Sequence, residues 1–137
     1  MILYTQGSYD IFHAGHVNFL ERCAKFGDVV VGLLSDESFK EYRGYAPINK
    51  FEDRKRTLEG CIYVNEVIMT NNERTIDDIR LCNPDVIAIG TDWTEKNIYL
   101  QWNVSPEMID DKLIYIPYTK NISSTRIKKL IRGEDVD

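Results

Sequence analysis

Histidine occurs twice in the 137-residue sequence, and both copies fall in one stretch, Gly7-Ser8-Tyr9-Asp10-Ile11-Phe12-His13-Ala14-Gly15-His16. Imidazoles three positions apart can ligate a metal, activate a nucleophile or donate hydrogen bonds to an anion. A zinc site needs three or four His, Cys or carboxylate ligands, whereas Cys23, Cys61 and Cys82 are distant and flanked by apolar residues. The nearest serine, Ser8, has no G-x-S-x-G setting and no third orienting group. Anion binding makes fuller use of the neighbours. Gly7 ends an apolar run, a helix begins near Ala14 to His16, and Gly15 lets a ligand approach the backbone closely. A helix N-terminus attracts phosphate, and histidines at i and i+3 share the face that would meet it. Two surface histidines without a ligand remain the alternative on this stretch alone.

A second stretch has the same character. Ser123, Ser124 and Thr125 precede a run with apolar residues at Ile127, Leu130 and Ile131. Hydroxyl side chains before a helical pattern cap its N-terminus, which makes another anion cradle. Stabilising charge on a transferring phosphoryl centre is most of what a phosphoryl-transfer enzyme must do, because no protein nucleophile is required.

The elements that must position these stretches alternate. Strand-like runs are ILYTQG (2–7), DVVVGLLS (28–35), VNEVIMT (64–70), DVIAIG (85–90) and KLIYIP (112–117), and two of them are almost continuously hydrophobic. Such runs suit strands covered on both faces. Helical spacing recurs at 17–27, 51–64 and 74–84, the first stopped by Gly27 and the last by Asn83-Pro84. The pattern predicts an α/β fold: a Rossmann-like, open, doubly wound parallel sheet of about five strands with helices on both faces. In such sheets ligands bind beyond the carboxyl ends of the strands. The turns after the first, fourth and fifth strands therefore converge on one edge: GSYDIFHAGH, TDW (91–93) and YTKNISSTRI (118–127). No internal repeat or linker is visible, so residues 1–137 read as a single domain.

Composition narrows the partners. The chain is 43% hydrophobic and 28% charged, with a net charge of −5, which argues against nucleic acid or an anionic membrane as a partner. Basic residues still cluster, at Arg43, Lys50, Arg54, Lys55 and Arg56 and at Lys120, Arg126, Lys128 and Lys129. Most of these read as solvated surface charge. Three cysteines without a C-x-x-C pair fit reduced core residues. No apolar run approaches the roughly 20 residues that span a bilayer. The amino terminus shows no basic and apolar signal-peptide pattern, and a cytoplasmic protein is expected.

The motifs together resemble the HxGH nucleotidylyltransferase superfamily, and within it the small bacterial cytidylyltransferases of the glycerol-3-phosphate type. The resemblance runs nearly end to end, through Gly7 to His16, Glu52-Asp53-Arg54-Lys55, Gly90-Thr91-Asp92-Trp93 and Ile122 to Ile127. It implies transfer of CMP from CTP to a phosphorylated small alcohol, with release of pyrophosphate by in-line attack. His13 and His16 would contact the CTP phosphates and stabilise the transition state at the α-phosphorus. Asp10 would organise the site, and Arg54 would offer a bidentate cation. Gly7, Ser8, Tyr9, Gly15, Gly90 and Ile122 would line the nucleotide. Ser123, Ser124 and Thr125 would cradle the phosphates that leave. Asp92 and Trp93 would read ribose and cytosine. Mg²⁺ would be carried mainly on the nucleotide phosphates, with Asp10 as a protein contact, and the resemblance implies a homodimer.

The chain departs from the pattern on the acceptor side. Tyr118-Thr119-Lys120-Asn121 replaces an arginine-bearing R-T-E-G, Ile62 replaces another arginine, and Tyr42-Arg43-Gly44-Tyr45 replaces a lysine-rich stretch. Arg43, Tyr45, Tyr118 and Lys120 are the candidate acceptor contacts. These changes leave the acceptor open: glycerol 3-phosphate, a related phosphomonoester or phosphonate, or a larger or amine-bearing phosphate that meets the tyrosines. Two other functions remain, adenylyl transfer from ATP and a nucleotide-binding module without turnover.

Overall fold

Strand β1 (Ile2–Gly7) lies at the centre of a five-stranded sheet. The chain continues through α1 (Ala14–Ala24), β2 (Asp28–Leu34), α2 (Asp36–Arg43), α3 (Phe51–Glu59), β3 (Glu66–Thr70), α4 (Thr75–Cys82), β4 (Val86–Gly90), α5 (Glu95–Trp102), α6 (Pro106–Ile109), β5 (Leu113–Ile116) and α7 (Ser124–Ile131). The computed structural model describes residues 1–91 and 95–136. The sheet order is β3-β2-β1-β4-β5, and every pairing is parallel. The chain winds outward from β1 to β3 and then crosses to β4 on the other side. This reversal opens a crevice between β1 and β4 at their carboxyl ends, where an open α/β sheet binds its ligand.

Alternation along β1 divides the core. Leu3 joins Phe19, Leu20 and Cys23 of α1 and Leu58 of α3 on one face. Tyr4 joins Ile79, Ile98, Trp102 and Ile109 of α4 to α6 on the other. Successive side chains of a strand point to opposite faces, so a central strand must be apolar on both. From Val29 onward, every residue of β2 is buried.

The five strands and the helices at 14–24, 51–59 and 75–82 follow the sequence pattern, with shifts at their ends. The third helix stops at Glu59, not 64, because Gly60 and Cys61 turn the chain back onto Arg56 and Leu58. Asn65 then docks on β2, where its Oδ1 accepts from the Val29 N–H, and β3 begins one residue later. Helices α2, α5 and α6 are additions to the sequence reading. α2 has one buried large apolar residue, Phe39, and so shows no apolar periodicity. Its ends are nonetheless marked: Ser35 Oγ accepts from the Ser38 N–H, and Gly44 takes the left-handed conformation at φ 82°. No helix among the described residues is long and apolar enough to cross a membrane.

Arg54 of α3 fixes the crevice from beneath. Its side chain is 0% exposed. Nε donates to Asn49 O at 2.9 Å, Nη1 to Ser8 O at 2.9 Å and Nη2 to Asp36 Oδ1 at 2.7 Å. The rings of Phe39 and Phe51 each lie 5.9 Å from the guanidinium. One planar fork thus ties together the β1–α1 loop, the start of α2 and the turn before α3. Arg54→Met should cost about 3 kcal/mol, because it leaves the acceptors it served unpaired. Arg54→Lys should recover only part of this. Urea unfolding of the three proteins checks both outcomes.

Candidate active site

The turn after β1 is held in a conformation its residues do not favour. Tyr9 and Ile11 have φ of 48° and 49°, and a β-branched residue at positive φ is a true outlier. Asp10, 3% exposed between them, provides the counterweight. Its Oδ1 accepts from the N–H groups of Ile11 at 3.2 Å and Asn49 at 2.9 Å, and its Oδ2 accepts from Ile48 N–H at 2.8 Å. Its backbone carbonyl accepts from Ser124 Oγ at 2.6 Å. With Ser8 O held by Arg54, the loop is laced to α7 and to the turn before α3.

This lacing aims the two histidines. His13 is the N-cap of α1, and its Nδ1 accepts from Gly15 N–H at 3.0 Å. His16, one turn on, accepts from His13 N–H through its own Nδ1 at 3.2 Å. The hydrogen-bond network therefore assigns the proton of each neutral imidazole to Nε2. The rings stack 3.8 Å apart, and Phe12 stacks on the far side of His16 at 5.4 Å. A Cβ on Gly15 would lie 2.8 Å from His13 Cε1 and 3.2 Å from Ile122 Cγ2, so this packing requires glycine there. The histidines do share one helix end, as the i, i+3 spacing suggests, but the first of them caps the helix and does not belong to its body.

Burial lowers the pKa of His13, and burial together with the adjacent His13 pushes His16 down to about 3. The pair is therefore a set of neutral N–H donors at neutral pH, not a cationic clamp.

A cavity of about 600 Å³ lies over the carboxyl ends of the strands. Gly7, Ser8, Tyr9, Asp10, His13, Gly15 and His16 line it from the first loop, and Ile122, Ser123, Ser124 and Thr125 line it from the start of α7. Gly90, Arg43, Tyr45 and Tyr118 also line it. A Cβ at Gly90 would fall on the Tyr118 ring, so the ring packs directly over this glycine. Ser123 caps α7 by accepting from Arg126 N–H, so the second helix N-terminus faces the first across the cavity.

Other sequence candidates sit elsewhere. Arg54 does not line the cavity: its buried guanidinium is bonded to Asn49 O, Ser8 O and Asp36 beneath it. Lys120 is exposed and lies outside the lining. Ile62 is 87% exposed in the segment leading to the amino end of β3, away from this cavity. Asp92 and Trp93 lie outside the described residues. The lining adds residues that the motifs did not single out, among them Lys128, Phe39 and Trp102. Lys128 follows Ser124 by four positions, so helical spacing alone places it on the same face. Phe39 and Trp102 belong to helices that hydrophobic periodicity misses.

Among the described residues, no group of three or more His, Cys, Asp or Glu could hold a metal ion. The Asp10 oxygens already accept three backbone hydrogen bonds.

The depressed histidine values have a consequence for stability. Between about pH 6.5, where an unfolded imidazole titrates, and the value of about 3 for His16, the unfolded chain binds more protons than the folded one. Stability should therefore fall as pH falls through this window. His16→Asn should remove its share of the slope. Urea unfolding of both proteins at pH 7, 6 and 5 measures the difference.

Known proteins converge on the same architecture. A family model described as cytidylyltransferase-like matches residues 4–130. Glycerol-3-phosphate cytidylyltransferase of Bacillus subtilis (strain 168) is 35% identical over 130 residues, covering 94% of this chain and 95% of that protein. FAD synthase of Pyrococcus horikoshii is 33% identical over 127 residues, with 91% and 86% covered. The bifunctional protein HldE of Campylobacter concisus is 35% identical over 138 residues, 99% of this chain but 28% of that longer protein. The crystal structure of the lipopolysaccharide core biosynthesis protein from Thermoplasma volcanium superposes with a TM-score of 0.73 at 23% identity, over 88% of this chain and 98% of that one, and shares the fold. With a matched model spanning nearly its whole length and full-length relatives at this identity, the chain belongs to the cytidylyltransferase-like family of nucleotidyltransferases.

Proposed function

We propose that the chain transfers CMP from CTP to the phosphate of a small phosphorylated alcohol. The observation that carries this reading is the stacked histidine pair, with both Nδ1 atoms engaged and both Nε2–H donors left for a ligand, set opposite a second capped helix N-terminus. An acceptor phosphate oxygen attacks the α-phosphorus as the bond to the β-phosphate oxygen breaks, and pyrophosphate leaves with the electron pair. Charge builds on the oxygens around the α-phosphorus. Neutral donors fixed by helix capping meet that charge without reorganising, where one such donor is worth about 10²–10³ in rate. The start of α7 offers backbone N–H groups and the Thr125 hydroxyl to the departing phosphates. Mg²⁺, riding on the triphosphate, lowers its charge when bound.

Adenylyl transfer is the second reading, favoured by the FAD synthase relative. Pyrophosphate release separates the two. With CTP and ATP each offered against glycerol 3-phosphate, other phosphomonoesters, FMN and phosphonates, the expected result is turnover with CTP. Turnover with ATP alone establishes the second reading, and release with neither nucleotide removes both.

His16→Ala should lower kcat by about 10²-fold or more, with a smaller change in CTP affinity, because its Nε2–H acts chiefly on the transition state. Single-turnover kinetics beside CTP titration measures the split. EDTA should abolish turnover and added Mg²⁺ should restore it, as the steady-state assay will show.

A further inference from the structure

The reaction brings two anions together, the triphosphate and the acceptor's phosphate, and their repulsion must be offset where they meet. Burial disfavours charge on the histidines. Among the described residues that line the cavity, the cationic side chains are Arg43 and Lys128. Lys128 is the more enclosed, its side chain 18% exposed. It rises from α7 one turn beyond Ser124, and its Nζ sits 4.9 Å from the centre of the Tyr45 ring. Asp10 Oδ2 lies 4.0 Å away, near enough to attract the ammonium and beyond hydrogen-bond length. Because the Asp10 oxygens already accept three backbone N–H groups, the carboxylate places the ammonium without using its donors at hydrogen-bond length.

The triphosphate cradle is made by the histidines and by the two helix N-termini. Lys128 stands at its edge, between Asp10 of the β1–α1 loop and Tyr45, beside the wall lined by Phe39, Tyr42 and Arg43. Resting on the cytidylyl-transfer reading, we propose that Lys128 binds the acceptor's phosphate and sets which acceptors are used. The acceptor class is a phosphomonoester or phosphonate whose remaining part packs against the aromatic wall. A lysine ammonium is a point charge with rotatable donors and does not demand a planar fork, so it suits an incoming oxyanion that must pivot toward the α-phosphorus. The step draws no proton from Lys128: the new P–O bond forms from the acceptor oxygen, and the electron pair of the broken bond leaves on pyrophosphate.

Binding tests this independently of turnover. The protein is saturated with α,β-methylene CTP, which cannot release pyrophosphate, and is then titrated by calorimetry with glycerol 3-phosphate and with inorganic phosphate. Wild type, Lys128→Met and Lys128→Arg are compared, each with its own nucleotide titration and melting curve. The expected result is that Lys128→Met weakens binding of either probe about tenfold or more and changes nucleotide affinity less than about threefold, while Lys128→Arg recovers most of the loss. Equal weakening of nucleotide and probe overturns the proposal, since it assigns Lys128 to the triphosphate or to the framework. Unchanged probe binding in Lys128→Met overturns it, as does failure of wild type to bind either probe. Absence of pyrophosphate release with CTP would instead remove the cytidylyl-transfer reading while leaving the binding result standing.

Discussion

Two almost wholly buried side chains of opposite charge hold the β1–α1 loop in a shape its own residues resist. Asp10 gathers three backbone N–H groups, and Arg54 gathers two backbone carbonyls and the Asp36 carboxylate. Between them they offset the strain at Tyr9 and Ile11. Everything at the site depends on that lacing. It starts α1 at the right place, presents the N-terminus of the helix to the crevice, and through the Asp10 carbonyl docks Ser124 and the start of α7 opposite. The charges that look most available for binding in the sequence are thus partly spent on building the binder.

The cavity that results has two kinds of wall. One is made of imidazole N–H groups, hydroxyls and helix ends, with His13, His16, Ser123 and Ser124 already held by hydrogen bonds. The other carries Arg43 and Lys128 among aromatic rings. Fixed dipoles suit a charge that grows and fades during the reaction, and mobile cations suit a charge that must be captured and turned.

The strands were legible because a sheet covered on both faces demands uninterrupted apolar runs, and β2 and β4 supply them. The phosphate-binding end was legible because Gly15, His13 and His16 are short-range partners whose spacing is their geometry. Helices held by caps and not by apolar stripes were not: α2 has Ser35 and Gly44 to mark it but one core residue. Arg54 was read from the resemblance as a bidentate cation for a ligand phosphate, and only the fold reveals that Ser8, Asp36 and Asn49, separated in sequence, close around it. Lys128 required knowing which face of α7 meets the loop, which the Ser124 bond to Asp10 decides.

His13 performs two tasks through opposite edges of one rigid ring. Its Nδ1 closes the first turn of α1, and its Nε2 is left for the ligand. Serine could cap the helix, and lysine could reach an oxyanion, but neither offers an acceptor and a donor on one rigid ring. Helix capping and the Nε2 edge that faces the cavity therefore share one ring, and neither can be altered at His13 without the other.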